Sequence, residues 1–237
     1  TELYVTSLNR KVKRMIEANY VDHMGSDLSV ANAARVSFGK KSEMEENTWG
    51  PPTLKAKDAK LINYLAKHKH ISPFGHCFAS FHVKAPIFVA RQLVKHKFLR
   101  WNEISRRYVD DDPEFYSPSW RETSTDKKQG SGDEVTKVMQ FSAAIKVNHQ
   151  NTLQAELYKE MLAGGICEEQ ARVVLPVSTM TEWYWSGSLD AFSDMCNLRC
   201  KPDTQAETRE VANKIDRKMI ELFPVSWDSL TEEKNND

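Results

Sequence analysis

Apolar and polar residues in the first half of the chain follow patterns that predict three helices and one strand. Residues 26–38 start with a Ser-Asp pair suited to N-capping and continue with helix-forming alanines, and apolar residues recur at helical spacing over 54–70. Residues 76–84 instead alternate apolar and polar, which is typical of a strand. Pro86 is expected to stop this strand and to begin a third helix over 86–98.

The second half begins with residues 110–132, which are rich in Asp, Ser, Thr and Gly and predict a mobile loop. Asp133 is then expected to cap a long helix that ends at Ala163, before two glycines. The inward stripe predicted for this helix is Val138, Ser142, Ile145, His149, Leu153, Leu157 and Met161. The elements expected after it are a helix over 168–174, a strand over 179–186 and helices near 188–199 and 204–223.

These patterns favour a single α/β domain over residues 1–237, with more helix than strand. The sequence contains no internal repeat and no linker that divides it.

Composition limits the kind of partner that the protein can have. The chain carries 33 basic and 33 acidic residues, so any site for an anion has to be a local patch. The N-terminus lacks an apolar signal segment, and no apolar run is long enough to span a membrane. Four cysteines without a CxxC pair fit a reducing compartment. We therefore expect a soluble cytoplasmic protein.

A local basic patch occurs at residues 95–110, KHKFLRWNEISRRYVD, where cations surround the single interior glutamate Glu103. On a helix over 86–98, Gln92, Lys95 and His96 would share one edge. In the segment that follows, Arg107 can hold a phosphate with two hydrogen bonds, and Glu103 can accept from a ribose hydroxyl or a ring N–H. The pattern fits a nucleotide monoester, and the alternative is a solvated helix face on which Glu103 forms a surface ion pair.

Two arginines lie in apolar surroundings, Arg172 in EEQARVVLP and Arg199 in CNLRC. An arginine in such a position is costly unless it meets an anion, so each is either a ligand-binding group or half of a buried ion pair. The chain has neither a GxGxxG turn nor a GxxxxGK[ST] loop, which argues against Rossmann dehydrogenases and P-loop kinases.

We expect no metal site. The histidines of KHKHISPFGH lie at a helix end, where cations offset the helix dipole. Cys196 and Cys200 are spaced four apart on a predicted helix without a nearby third ligand in the sequence, which favours core packing.

The sequence resembles the flavin-dependent thymidylate synthases. The family motif, RHR followed by S, NE, S and RY at fixed spacing, is matched from Lys95 to Tyr108, with KHK in place of RHR. Five further stretches occur in the family's order: GSDLSVANAARVSF, SPFGH, FHVKAPIFVARQ, ARVVLP and NLR. The resemblance implies a central, mostly antiparallel sheet flanked by helices, in a homotetramer with active sites between subunits.

The resemblance also implies the reaction and its residues. The reaction is reductive methylation of dUMP to dTMP with methylenetetrahydrofolate, FAD and NADPH. The catalytic residues implied are Arg199, Ser105 and His70. The dUMP-binding set implied is Gln92, Glu103, Ser105, Arg107, Arg172 and Arg199. The FAD-binding set implied is Ser72, Lys95, His96, Lys97, Asn102 and Glu103.

Five positions depart from the family pattern and bear on flavin binding: Lys95, Lys97, Arg100, Asp194 and Asp203. Lysine keeps the charge of arginine without its planar fork, and carboxylates repel a pyrophosphate. One alternative on the same scaffold is hydroxymethylation of a deoxypyrimidine monophosphate. Another is a degenerate homologue that binds nucleotide without turnover.

A third alternative, from another functional class, is a module that binds single-stranded nucleic acid through the basic patch, with Trp101 and Tyr108 as stacking platforms. The zero net charge and the acidic run at 110–112 argue against it.

Overall fold

A four-stranded antiparallel sheet forms the centre of the computed structural model, which describes residues 16–125 and 130–231. The strands are β1 (Glu17–Met24), β2 (Phe78–Pro86), β3 (Leu99–Glu103) and β4 (Met180–Ser188). Their spatial order is β1-β2-β4-β3, and each neighbouring pair is antiparallel. The expected mostly antiparallel sheet is therefore confirmed.

Helices account for most of the remaining regular structure in the described ranges. They are α1 (Asp27–Arg35), α2 (Ala56–Lys67), α3 (Ile87–Leu93), α4 (Lys137–Ala163), α5 (Glu168–Ala171), α6 (Leu189–Arg199), α7 (Ala206–Leu222) and α8 (Pro224–Thr231). Three short 3₁₀ turns cover Val36–Phe38, Ser72–His76 and Arg172–Val174.

The two faces of the sheet differ in polarity. Phe81 and Val83 of β2 and Trp183 and Trp185 of β4 are buried on one face, against which α6 and α7 pack. Alternate residues such as Lys84 point to the other face and stay partly exposed. The alternation that predicted β2 therefore separates a core face from a polar face, and β4 alternates in the same way.

The predicted helix over 86–98 is shorter than expected. α3 ends at Leu93, and Phe98 takes a positive φ of 65°, a left-handed conformation that a continuing helix excludes. The chain then enters β3, which the sequence patterns did not predict, as they did not predict β1 or α8. The prediction that Gln92, Lys95 and His96 share a helix edge is wrong, because only Gln92 lies on the helix.

Two predictions about the long helix are also wrong. Asp133 does not cap it, because α4 begins at Lys137 and the Thr136 hydroxyl accepts the Met139 N–H at 3.4 Å. The expected inward stripe faces outward in the single chain. Its exposed apolar members are Val138, Ile145, Leu153 and Leu157, whereas the buried residues of α4 are Asn151 and Tyr158.

The segment 110–132 has no helix or strand in its described part, but it is tied to its surroundings. Isolated bridges join Phe115 to Thr179 and Arg121 to Glu134. Its mobility stays a prediction, as does the single domain. The predictions for residues 1–15 and for the tail beyond 231 lie outside the described residues. In the described ranges, no helix has both the length and the apolar character needed to cross a membrane.

Candidate functional site

A cleft of about 890 Å³, the larger of two clefts that contain expected site residues, lies at the end of the sheet where β2 and β3 end and β4 begins. The end of β3 and the turn after it contribute Glu103, Ser105 and Arg107, and the 3₁₀ turn after α5 contributes Arg172. These are four of the six residues in the expected nucleotide-binding set. Three of the four are close in sequence, and the fold brings Arg172 to them from a distant segment.

Both carboxylate oxygens of Glu103 are held by neighbours. Oε1 accepts the Thr181 hydroxyl at 2.7 Å, and Oε2 accepts the Trp101 indole N–H at 3.1 Å. Trp101 in turn stacks on Trp183, with ring centroids 4.3 Å apart. The orientation of the carboxylate is therefore fixed, and each oxygen retains a lone pair that can accept from a ligand.

Ser105 and Arg107 form a small donor cluster. The Ser105 hydroxyl oxygen accepts Arg107 Nε–H at 3.2 Å and the Arg107 backbone N–H at 3.3 Å. The guanidinium carbon also lies 5.0 Å from the centre of the Tyr108 ring. Because Ser105 engages Nε, the two terminal nitrogens of Arg107 are directed elsewhere and suit an anion with paired oxygens.

Arg172 is exposed, so the expectation from its apolar sequence neighbours of a buried group is wrong for the single chain. Its Nε–H donates to the Glu169 carbonyl at 3.2 Å, which holds the side chain near the start of the turn. Val173 beside it is also exposed, so the apolar residues of this turn do not enclose the arginine. Among the described residues, Arg172 forms no ion pair with a carboxylate.

The other two residues of the expected nucleotide set, Gln92 and Arg199, line a separate cleft of about 440 Å³. The Gln92 amide nitrogen donates to Gln205 Oε1, and its oxygen accepts the Thr208 hydroxyl at 3.2 Å. The amide plane is therefore fixed by Thr208 of α7 and by Gln205, the residue before α7. Within one chain, the expected nucleotide set is divided between two clefts.

Arg199 and His96 meet beside this smaller cleft. Arg199 Nε–H donates to His96 Nε2 at 3.0 Å, and its terminal nitrogen donates to the Gln92 carbonyl at 3.5 Å. Burial, together with the adjacent Arg199 charge, lowers the pKa of His96 to about 4, and burial lowers the pKa of Arg199. The imidazole is therefore a neutral acceptor at pH 7, and no carboxylate in the described ranges forms an ion pair with Arg199.

The other residues of the expected flavin set lie at the surface. Lys95 and Lys97 are exposed in the turn between α3 and β3, and Asn102 is exposed on β3. Ser72 is exposed at the start of the 3₁₀ turn after α2, as is His70 of the expected catalytic set just before that turn, and neither residue lines the two clefts. One chain therefore does not gather this set around a single cavity.

Sequence reasoning missed a charged network, three of whose members, Lys84, Glu114 and Glu182, line the larger cleft. Lys84 Nζ lies 2.7 Å from Glu114 and 3.6 Å from Glu182, and Glu182 lies 3.1 Å from His82. The hydrogen bond to Glu114 is the main cause that raises the pKa of Lys84. The signal was available in the alternation of β2 and β4, since polar residues of the two strands pair on one face.

The residues that depart from the family pattern lie in different places. Burial raises the pKa of the Asp194 carboxyl, Asp190 raises it further, and Lys69 opposes the change. Asp203 lines the smaller cleft, and Arg100 is exposed on β3. The carboxyl of Asp194 therefore binds its proton more tightly than an ordinary aspartate does.

Cys196 and Cys200 do have a third potential ligand nearby, contrary to expectation. A carboxylate oxygen of Asp216 and the two sulfur atoms all lie within 4.8 Å of one another. The sequence spacing gave no indication of this, because Asp216 comes from a different helix.

The sequence is similar to one protein family over most of its length. Residues 19–225 match the family described as "Thymidylate synthase complementing protein". A flavin-dependent thymidylate synthase of Thermus thermophilus is 37% identical over 213 residues, which cover 90% of this chain and 74% of that protein. That of Thermotoga neapolitana is 35% identical over 210 residues, which cover 89% and 88%.

A solved structure supports the same conclusion. The UMP/dUMP methylase PolB from Streptomyces cacaoi, bound with 5-Br dUMP, superposes with a TM-score of 0.81 at 29% identity, over 92% of this chain and 95% of that one. The same enzyme bound with 5-Br UMP gives a TM-score of 0.79. From the match over most of its length and the identity to these relatives, the chain belongs to the family of flavin-dependent thymidylate synthases.

Proposed function

We propose that the protein catalyses the reductive methylation of dUMP to dTMP, with methylenetetrahydrofolate as one-carbon donor, FAD as cofactor and NADPH as reductant. The observation that carries this proposal is the larger cleft, where Glu103, Ser105, Arg107 and Arg172 converge. Its support from other proteins is the name shared by the relatives and the 5-Br dUMP bound by a structural neighbour.

In this proposal the nucleotide phosphate binds between Arg107 and Arg172. Arg107 presents its terminal nitrogens while Ser105 holds Nε, and Ser105 retains a hydroxyl proton that it can donate. In the described part of the chain neither arginine forms an ion pair with a carboxylate, so each is available to a dianion. Charge-assisted hydrogen bonds to phosphate are the strong contacts expected of such a site.

Glu103 then orients the nucleoside. Because Thr181 and Trp101 fix the plane of its carboxylate, a ribose hydroxyl or a ring N–H meets a preorganised acceptor. Ser105 acts as a positioning donor in this proposal, since the described residues place no general base within hydrogen-bond distance of its hydroxyl.

Arg199 is proposed to stabilise the electron-rich form of the pyrimidine by lying near a ring carbonyl. The neutral imidazole of His96 holds its Nε, and burial strengthens the field of the guanidinium. Because Arg199 and Gln92 line a different cleft from Arg107, one chain alone does not complete the site. We therefore propose a homotetramer whose active sites combine residues of different subunits.

The chain's own residues fit a flavin with a pyrophosphate in part. Lys95 and Lys97 supply exposed cations, and Asn102, His70 and Ser72 supply further hydrogen-bonding groups. When bound, reduced flavin supplies hydride and relays the one-carbon unit. The protein residues bind, orient and stabilise charge.

A cytoplasmic location completes the proposal. None of the four cysteines forms a disulfide, and two of them, Cys77 and Cys196, are buried. Cysteines that remain as thiols are usual in a reducing compartment.

The reaction is tested by anaerobic incubation of the protein with dUMP, methylenetetrahydrofolate, FAD and NADPH, followed by mass analysis of the nucleotide. We expect dTMP. A hydroxymethylated product would show that the protein catalyses the alternative reaction. Unchanged dUMP in the presence of fully reduced FAD would overturn both methylation and hydroxymethylation. UMP carries a 2′-hydroxyl that dUMP lacks. A parallel incubation with UMP therefore measures how strongly the site selects the deoxynucleotide.

The phosphate assignment is tested separately by Arg107→Ala and Arg172→Ala. Each variant is expected to weaken dUMP binding by about 1.5–3 kcal/mol, roughly 10- to 150-fold, because a charge-assisted contact is lost. The control is Arg217→Ala, an exposed arginine of α7 that lines neither cleft. Wild-type affinity in both cleft variants would remove the assignment.

A further inference from the structure

Two thiols and a carboxylate meet where the C-terminal end of α6 packs against α7. Cys196 and Cys200 are four residues apart, so their side chains project from the same face of the helix end. Asp216 comes from α7, and its oxygen and the two sulfur atoms all lie within 4.8 Å of one another. None of the three residues lines either cleft, although Cys200 lies between Arg199 and Lys201 of the smaller one.

The surroundings of the cluster orient its members. The indole N–H of the buried Trp227 donates to Asp216 Oδ1 at 2.9 Å, which fixes the carboxylate plane from α8. The Cys196 thiol points toward α7, with its sulfur 3.8 Å from the Ala212 carbonyl. Cys196 is buried, whereas Cys200 and Asp216 are half-buried, so the cluster can be reached from solvent on one side.

We infer that Cys196, Cys200 and Asp216 bind a Zn²⁺ ion, with water as the fourth ligand. Thiolate and carboxylate are both zinc ligands, and tetrahedral Zn–S and Zn–O bonds place ligand atoms roughly 3.3–3.8 Å apart. The observed separations reach that spacing with side-chain adjustments of about 1 Å. The Trp227 N–H is the kind of outer hydrogen bond that orients a metal-ligating carboxylate.

Binding in this site releases protons and leaves one net negative charge. Each thiol that binds Zn²⁺ loses its proton to solvent, so the two thiolates and the carboxylate carry three negative charges against the two positive charges of the ion. Arg199 lies in the last turn of α6, immediately before Cys200, and is the nearest arginine in sequence. The ion would join the last turn of α6 to α7 and so fix the backbone from which Arg199 extends.

This inference does not rest on the proposed function, because its test uses the metal alone. The full chain, stripped of metal by a chelator and reduced with a phosphine, is titrated with Co²⁺ as a spectroscopic substitute for Zn²⁺. We expect one equivalent to bind with a thiolate-to-cobalt charge-transfer band and tetrahedral visible bands, and Zn²⁺ to displace it. Zn²⁺ is also expected to raise the unfolding midpoint of the protein.

Variants locate the site. Cys200→Ser, at a half-buried position, should remove the charge-transfer band or weaken Co²⁺ binding at least about 10-fold, and Asp216→Asn should weaken it similarly while keeping an acceptor for Trp227. The matched controls are Cys167→Ser, which removes an exposed thiol, and Asp228→Asn, which removes an exposed carboxylate of α8. Both controls should bind as the wild type does.

Three outcomes would overturn the inference. They are the absence of a thiolate-to-cobalt band in the wild-type protein, a band of full strength in Cys200→Ser, and loss of the band in Cys167→Ser. Circular dichroism of each variant confirms folding. If Cys200→Ser fails to fold, Asp216→Asn provides the same comparison without altering a thiol.

Discussion

The imidazole of His96 is placed where protonation is unfavourable. It is half-buried, and its Nε2 accepts the Arg199 Nε–H at 3.0 Å, which only the unprotonated nitrogen can do. Burial is the larger cause of the lowered pKa, and the Arg199 charge adds to it. The pair is therefore stable at neutral pH and is disrupted when the imidazole takes up a proton.

This pair predicts a pH dependence of stability. The pKa of His96 is about 4 in the folded chain against an ordinary value near 6.5, so between these values the unfolded state binds more protons. The free energy of unfolding should fall as pH decreases from about 6.5 to 4, by about 1–3 kcal/mol from this residue. In His96→Gln that part of the pH dependence should be missing.

Denaturant unfolding at several pH values measures this effect, with His149→Gln as the control that removes an exposed imidazole. If the free energy of unfolding of His96→Gln depends on pH in the same way as that of the wild type, the assignment of a neutral, buried imidazole is contradicted.

Some of the site could be predicted from single residues, and some could not. Glu103, Ser105 and Arg107 are close in sequence, so the motif alone brings them together, and they do line one cleft. Thr181 was missed because nothing in a strand sequence tells which distant carboxylate its hydroxyl will meet. The same limit applies to Asp216, which reaches the two cysteines only after two helices pack together.

Among the elements, those with a clear local signal were predicted best. β2 was predicted from its alternation, β4 from its β-forming aromatic residues, and the short helix after Gly25 from the Ser-Asp pair at its start. β3 was missed because its five residues follow the charged KHK turn and only Leu99 and Trp101 are apolar. β1 was missed because most of its residues are exposed at the edge of the sheet, so burial imposes no alternation.

The segment between β3 and α4 is anchored to α7 by one ion pair. Arg121 donates through one terminal nitrogen to both oxygens of Glu207, at 2.8 and 3.0 Å, and Glu207 is only 4% exposed. Arg121 Nε–H also donates to Ser131 at 2.7 Å. The charge of a buried carboxylate is stabilised by its partner cation, because water cannot reach the carboxylate to take the place of that cation.

Breaking this pair should therefore be costly. Arg121→Met leaves Glu207 buried and unpaired, and we expect a loss of about 3–5 kcal/mol in the free energy of unfolding. Glu207→Leu combined with Arg121→Met should recover much of that loss, which a double-mutant cycle measures. The control is the exposed pair of Lys159 and Asp112, for which Lys159→Met should cost at most about 1 kcal/mol. If Arg121→Met and Lys159→Met lower the free energy of unfolding by the same amount, the pair of Arg121 and Glu207 contributes no more than an exposed ion pair.

For the molecule as a whole, α4 presents its apolar side chains to solvent. Val138 is 77% exposed, Ile145 is 49% exposed and Leu153 is 44% exposed, whereas Asn151 and Tyr158 are buried against the rest of the chain. The sequence correctly marked an apolar stripe, but periodicity alone does not tell whether such a stripe packs within one chain or against another. An exposed apolar surface of this extent is characteristic of a protein interface.

The proposed homotetramer supplies that interface, and α4 provides its test. Ile145→Glu with Leu153→Glu places two charges on the exposed stripe, so the assembly should dissociate at concentrations where the wild-type protein remains oligomeric. The lost burial of two aliphatic side chains corresponds to about 2–4 kcal/mol, or a dissociation constant raised roughly 30- to 700-fold. Light scattering after size-exclusion chromatography measures the mass, and Gln150→Glu, at an exposed polar position of α4, is the control. If the site combines residues of different subunits, dUMP binding should fall together with the oligomer. An unchanged oligomer in the double variant would exclude the exposed stripe of α4 from the interface.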